Sequence, residues 1–159
     1  MKVYFLRHGI AADTETWHGD DADRPLTEKG RTKMAREAAT IEELSLGLDT
    51  IVTSPLIRAR QTGRIVAEKL GMLDRLQVDE RLGLDFDTTR LADIVQAHNP
   101  ADALMLVGHE PGMSETIGLV VGRARVVLKK GALALVDLTD PTLPSGDLLW
   151  LVPPKILAR

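Results

Sequence analysis

Met1-Lys2-Val3-Tyr4-Phe5-Leu6-Arg7-His8-Gly9 opens the chain, and its reading decides the fold. Val3 to Leu6 is an apolar run of strand length that can be covered on both faces, as in the parallel sheet of an α/β protein. Arg7 and His8 then emerge at the strand's carboxyl end, where open α/β sheets place their ligands. Gly9 lets the backbone turn and lets a ligand approach closely. The triplet reads as an anion site with a nucleophile in it. A lone histidine at a strand end is also commonly a hydrogen-bonded structural residue, so the rest of the chain must decide.

The same pattern recurs downstream. Ile51 to Thr53 is a short strand ended by Ser54-Pro55, with the proline expected in the first turn of a helix running through Ile57, Ala59, Ile65, Val66 and Leu70 to Gly71. Leu104 to Val107 is a second fully apolar strand, ended by Gly108-His109-Glu110-Pro111-Gly112. Between these, the polar stretch Ile10 to Pro25 reads as a mobile loop, and Thr27 caps a helix that should end near Gly47. Leu76 to Val78 reads as a strand, Leu91, Ile94 and Val95 mark a helix stopped by Asn99-Pro100, and another helix spans about Met113 to Val121. Gly131 to Leu138 and Leu148 to Val152 close the chain as strands around the turn-rich segment Asp140 to Gly146. Strands alternating with helices predict a three-layer α/β/α sandwich, with a mostly parallel central sheet and an antiparallel hairpin at one edge. No repeat or linker divides it, so a single domain over residues 1–159 is expected.

Composition narrows the partners. The formal net charge is −3, which gives no bulk reason to expect nucleic acid or a membrane surface. Two Trp, one Tyr and two Phe are too few for base-stacking platforms. Cysteine is absent, which removes disulfides, thiolate metal ligands and cysteine nucleophiles together. No histidine pair has metalloprotease spacing, so no metal and no cofactor is expected. No signal-peptide pattern or membrane-length apolar run is present, so the expected location is cytoplasmic. Nothing in the sequence sets an oligomeric state.

Three polar clusters therefore follow three apolar strands: Arg7-His8-Gly9, then Ser54-Pro55 with Arg58 and Arg60, then Gly108-His109. If the strands are parallel neighbours, these clusters face one crevice. Two histidines with arginines there describe a seat for a small dianion such as a phosphoryl group. The helix starting at Pro55 should add backbone N–H groups to the rim. Each element has a plainer alternative: Arg58 and Arg60 as solvated helix charges, His109 with Glu110 as a loop ion pair. His18 and His98 read as structural or merely exposed.

Arg7-His8-Gly9, Arg24-Pro25-Leu26-Thr27 followed by Gly30, Ser54-Pro55-Leu56-Ile57-Arg58-Ala59-Arg60-Gln61-Thr62 and Val107-Gly108-His109-Glu110-Pro111 occur in that order across essentially the whole chain. Together they resemble the histidine phosphatase superfamily, and within it the small SixA-type phosphohistidine phosphatases. The resemblance implies a phosphoglycerate-mutase-like fold and a metal-independent hydrolase acting on phosphohistidine of a protein substrate. It implies His8 as nucleophile, Arg7, Arg58 and His109 as holders of the phosphoryl oxygens, Arg24 at the rim, and Gly9 and Ser54 in contact with substrate. Arg60, two positions from Arg58, points away from it on a helix. Larger relatives that cleave sugar or alkyl phosphates carry a glutamate past the third strand as general acid, and Leu84 stands there in this chain. Glu80 and Asp85 are the nearby acids that could replace it. A small-molecule phosphomonoesterase of the same fold is thus the main alternative, and a noncatalytic phosphohistidine-binding module a further one.

Overall fold

Alternation along the first strand divides the core in two. In a computed structural model describing residues 1–140 and 142–159, strand β1 (Lys2–Arg7) sends Val3 and Phe5 to one face and Tyr4 and Leu6 to the other. Successive side chains of a strand point to opposite faces, so a fully apolar strand needs cover on both. Val3 and Phe5 pack with Leu91, Ile94, Val95, Met113 and Ile117, from α3 (Thr88–Ala97) and α4 (Gly112–Val120). Tyr4 and Leu6 pack with Met34, Ala38, Ile41, Ala59, Val66 and Leu157, from α1 (Glu28–Glu43), α2 (Ile57–Leu70) and the short α5 (Pro154–Leu157). The result is a three-layer α/β/α sandwich.

The remaining strands are β2 (Thr50–Thr53), β3 (Leu76–Val78), β4 (Ala103–Gly108), β5 (Leu133–Asp140) and β6 (Ser145–Val152), ordered β3-β2-β4-β1-β5-β6. The first four in that order are parallel, while β5 runs antiparallel to β1 and β6 to β5. Arg7 stands level with Gly108, and Thr53 with Val107. The residues that follow these strands therefore leave the sheet side by side. No helix among the described residues is long and apolar enough to cross a membrane.

Several boundaries differ from expectation for local reasons. Pro55 is not in the first helical turn: α2 starts at Ile57 after Leu56, whose N–H donates to Ser54 Oγ at 3.2 Å. Helix α1 stops at Glu43, with the chain turning through Ser45 and Gly47 at positive φ. Strand β5 starts at Leu133 because Gly131, at φ 81°, turns the chain, and the Ala132 N–H closes that turn on Lys129 O. Ser145 and Gly146, expected in the turn, begin β6, while Pro141 lies outside the described residues. The stretch Ile10 to Pro25, read as a mobile loop, carries a 3-10 turn at Asp21–Asp23 and is tied down by an Ala11–Leu26 bridge. Gly30 lets α1 approach it, since a Cβ there would sit 2.0 Å from Ile10 O.

Glu37 on α1 is a buried acid. It is 1 % exposed, its carboxylate oxygens accept no hydrogen bond, and Lys33 Nζ lies 3.9 Å away. A Cβ on Gly131 would come within 2.5 Å of it. Burial raises its pKa to about 8, against the opposing charge of Lys33. The folded state thus holds a proton that the unfolded chain releases near pH 4.5, so stability falls as pH rises from there towards 8. Denaturant melts of wild type and Glu37→Gln should show the variant gaining on wild type across that window, by about 1–3 kcal/mol at pH 8. A stability difference independent of pH would show that Glu37 is ionised in the fold.

Candidate active site

Because β1, β4 and β2 end in register, Arg7, His8, Ser54 and His109 are delivered to one rim. The His8 N–H donates to Gly108 O at 3.1 Å and the Ser54 N–H to Val107 O at 2.9 Å, which extends the sheet ladder one step into the site. The two imidazoles face each other with ring centroids 5.1 Å apart. A cavity of about 420 Å³ opens above them, lined by Arg7, His8, Arg24, Arg58, His109 and Lys130, with further walls from residues 10–14, Leu84 and Glu110.

The tautomer of His8 follows from its contact. Nδ1 lies 2.7 Å from Gly9 O. A carbonyl only accepts, so Nδ1 carries the hydrogen and Nε2 keeps its lone pair. Burial, then the positive potential of Arg58 and Arg7 beside His109, lowers the His8 pKa to about 3, although the Gly9 bond works the other way. His109 is lowered to about 4, by burial and then by Arg58. Its Nε2 lies 2.7 Å from Ser54 Oγ. That oxygen already accepts from the Leu56 N–H, so its own hydrogen is free to go to His109 Nε2. Where Ser54 donates that hydrogen, His109 Nδ1 bears the N–H; this nitrogen is buried without a partner, as are Arg7 Nε and Arg58 Nε. Buried donors without partners are costly unless an anion takes them up.

Both cavity arginines beyond Arg7 are held by one carboxylate. Asp21 accepts from Arg58 Nη2 at 3.0 Å and from Arg24 Nε at 3.1 Å, and its backbone oxygen accepts from Arg58 Nη1 at 2.7 Å. Burial would raise the Asp21 pKa, but the hydrogen bond of Arg24 and the charge of Arg58 hold it below the ordinary carboxylate value. Arg7 is fixed from the other side, its Nη1 donating to Leu128 O at 2.9 Å. Arg58 is 3 % exposed, so the solvated-charge reading does not apply to it. Arg60 is exposed and faces away from the cavity.

Gly9 and Ser54, expected to touch substrate, do not line the cavity. The Gly9 N–H is bound to Thr62 Oγ1 at 3.1 Å and its oxygen to His8, while Ser54 is wholly buried behind His109. Both contact the imidazoles, Gly9 through its oxygen and Ser54 through its hydroxyl. From α2 only Arg58 reaches the cavity, so the expected rim of helix-terminal N–H groups is not formed. Leu84 does line it, 56 % exposed. Glu80 is exposed away from it and Asp85 is paired with Arg90, so neither replacement acid faces the histidines. Glu110 is not paired with His109: it accepts from the Ser114 N–H at 3.1 Å and from its hydroxyl. Sequence reading missed Asp21, Thr62, Asp13 and Lys130. Asp21 was masked by its place in a polar loop, and Thr62 was legible as one helical turn past Arg58. Lys130 carried no signal beyond charge.

With pKa values of about 3 and about 4, both imidazoles are neutral throughout the neutral range. Nitrogen chemical shifts of His8 and His109 should therefore stay those of neutral rings from pH 8 down to pH 5, with His8 protonated at Nδ1 only. A midpoint near 6.5 for either ring would mean that burial and the neighbouring arginines do not set its protonation.

The histidine phosphatase superfamily (branch 1) model matches residues 3–130. An uncharacterized protein of Picosynechococcus sp. is 41 % identical over 121 residues, covering 72 % of this chain and 70 % of that one. The 8-oxo-(d)GTP phosphatase of Mycolicibacterium smegmatis is 27 % identical over 96 % of this chain, which spans 48 % of that relative's length. Among solved structures, the protein histidine phosphatase SixA complexed with tungstate superposes with a TM-score of 0.87 at 24 % identity, over 99 % of both chains. Family model, sequence relative and fold agree with the order of motifs along the chain: it belongs to the histidine phosphatase superfamily.

Proposed function

We propose that this chain is a phosphatase that removes the phosphoryl group from phosphohistidine on a protein, through a phosphohistidine formed on His8. The observation that carries the reading is the neutral His8 imidazole, its Nδ1–H locked on Gly9 O, among buried guanidinium and imidazole nitrogens without partners. Nε2 attacks phosphorus, the new N–P bond forms as the substrate's N–P bond breaks, and the departing imidazole keeps the electron pair and takes a proton from solvent. Water then attacks the phosphoryl group on His8, inorganic phosphate leaves, and Nε2 recovers its lone pair. Arg7, Arg58 and His109 Nδ1–H stabilise charge on the equatorial oxygens, and no metal is required for either step. Tungstate, bound in the structure of the SixA relative, is a tetrahedral oxyanion of the kind this donor set suits.

Leu84 supports phosphohistidine over alkyl phosphates. An alkoxide needs a proton as it leaves, whereas an imidazole departs readily near neutral pH. Asp13 supports the second reading, a small-molecule phosphomonoesterase. It is an exposed carboxylate on the cavity wall, where it could serve as the acid.

Rapid quench with labelled phosphohistidine substrate should place acid-labile label on His8, and His8→Ala should neither label nor turn over. Arg58→Ala should lower turnover by about a hundredfold or more, as loss of a donor to transition-state charge does. A raised KM at unchanged kcat would reduce Arg58 to a docking role.

Rates over phosphate esters of graded leaving-group pKa should fall steeply with basicity, alkyl phosphates should be very poor substrates, and a chelator should have no effect. Glu80→Gln and Asp85→Asn should leave the series unchanged. A shallow dependence that steepens in Asp13→Asn selects the small-molecule phosphomonoesterase.

A further inference from the structure

The segment joining α4 to β5 carries Arg123, Arg125, Lys129 and Lys130, and no carboxylate occurs between Glu115 and Asp137. This is a local concentration of positive charge in a chain whose formal net charge is −3. All four cations are exposed, and among the described residues none has an ion-pair or side-chain hydrogen-bond partner. The backbone around them is fixed. Leu128 is 1 % exposed in the core and Val126 packs against it, so Arg125, Val127 and Lys129 alternate outward, with Val127 71 % exposed. The Ala124 N–H donates to Gly118 O at 2.9 Å. At its far end the segment is fastened to the catalytic strand: Leu128 O accepts from Arg7 Nη1 at 2.9 Å, and the Gly131 N–H donates to Arg7 O at 3.1 Å. Lys130 lines the cavity that holds His8.

We propose that residues 123–130 form a docking strip for an acidic segment of the phosphoprotein, leading its phosphohistidine past Lys130 into the cavity. The proposal rests on the reading of the site as a protein phosphohistidine phosphatase. A run of unpaired cations around one exposed aliphatic side chain fits a carboxylate-rich polypeptide with an apolar residue among its acids. It fits nucleic acid less well, because no aromatic side chain lies on the strip to stack a base. Charges on such a rim act on encounter and KM and are screened by salt, whereas the chemical step depends on the buried groups.

The test uses synthetic peptides with one histidine phosphorylated by phosphoramidate, flanked by glutamates, serines or lysines. Wild type should cleave the glutamate-flanked peptide with a kcat/KM about tenfold or more above the lysine-flanked one at low salt, mostly through KM, and 0.5 M NaCl should shrink the gap. The double variant Arg125→Glu with Lys129→Glu should erase or reverse the order. Its rate on p-nitrophenyl phosphate should stay at the wild-type level, which shows that the fold and chemistry are intact. Equal cleavage of all three peptides by wild type overturns the docking strip and leaves the phosphatase reading standing. Failure to cleave any of them, with p-nitrophenyl phosphate still hydrolysed, overturns the phosphohistidine reading and the strip with it. Equal cleavage combined with binding of a single-stranded oligonucleotide that the double variant loses reassigns the strip to nucleic acid.

Discussion

The parallel register of β2, β4 and β1 is the constraint on which the site depends. Once Arg7 is level with Gly108 and Thr53 with Val107, the residues one step beyond, His8, His109 and Ser54, have no choice but to meet. A slip by one residue would turn every side chain to the opposite face. That slip is opposed by both halves of the core, since Val3 and Phe5 would trade places with Tyr4 and Leu6 against differently shaped helical layers. The site thus inherits its geometry from apolar packing.

Its electrostatics are inherited from burial. Guanidinium groups hold their charge even when desolvated, whereas an imidazole under the same conditions gives up its proton. Placing His8 and His109 among Arg7 and Arg58 therefore yields two neutral rings in a positive field. Neutrality leaves Nε2 of His8 a lone pair, and the field supplies attraction for an anion. Asp21 tempers this field by holding Arg58 and Arg24 together, which makes the stretch between Ile10 and Pro25 part of the site's framework. Glu37 shows the same physics acting on an acid: burial raises its pKa where it lowered those of the imidazoles, and a carboxyl without the partners Asp21 has is driven to its neutral form.

Much of this was legible in the chain. The layer order, the parallel centre and the antiparallel edge follow from apolar runs alternating with helical patterns, and the strand-end placement of His8 and His109 follows from where those runs stop. The gathering of Arg7, His8, Arg58 and His109 at one cavity was anticipated from the ordered motifs. What was not legible was how the polar groups around the histidines are partnered. Gly9 and Ser54 stand next to the right residues in sequence, yet their polar groups are spent on Thr62, His8 and His109. Glu80 and Asp85 are close to Leu84 along the chain but turn elsewhere in space.

The sequence by itself determined which segments are strands, which residues end them, and which titratable groups were available, because periodicity and side-chain chemistry are local properties. Only the tertiary structure decided which nitrogen of each imidazole is free, that one carboxylate on a polar loop holds two arginines, and that Arg7 is fastened to the cationic strip through Leu128. Those facts depend on hydrogen bonds between residues far apart in the chain, such as the 121 positions separating Arg7 from Leu128. Their geometry exists only once burial has removed water as the competing partner.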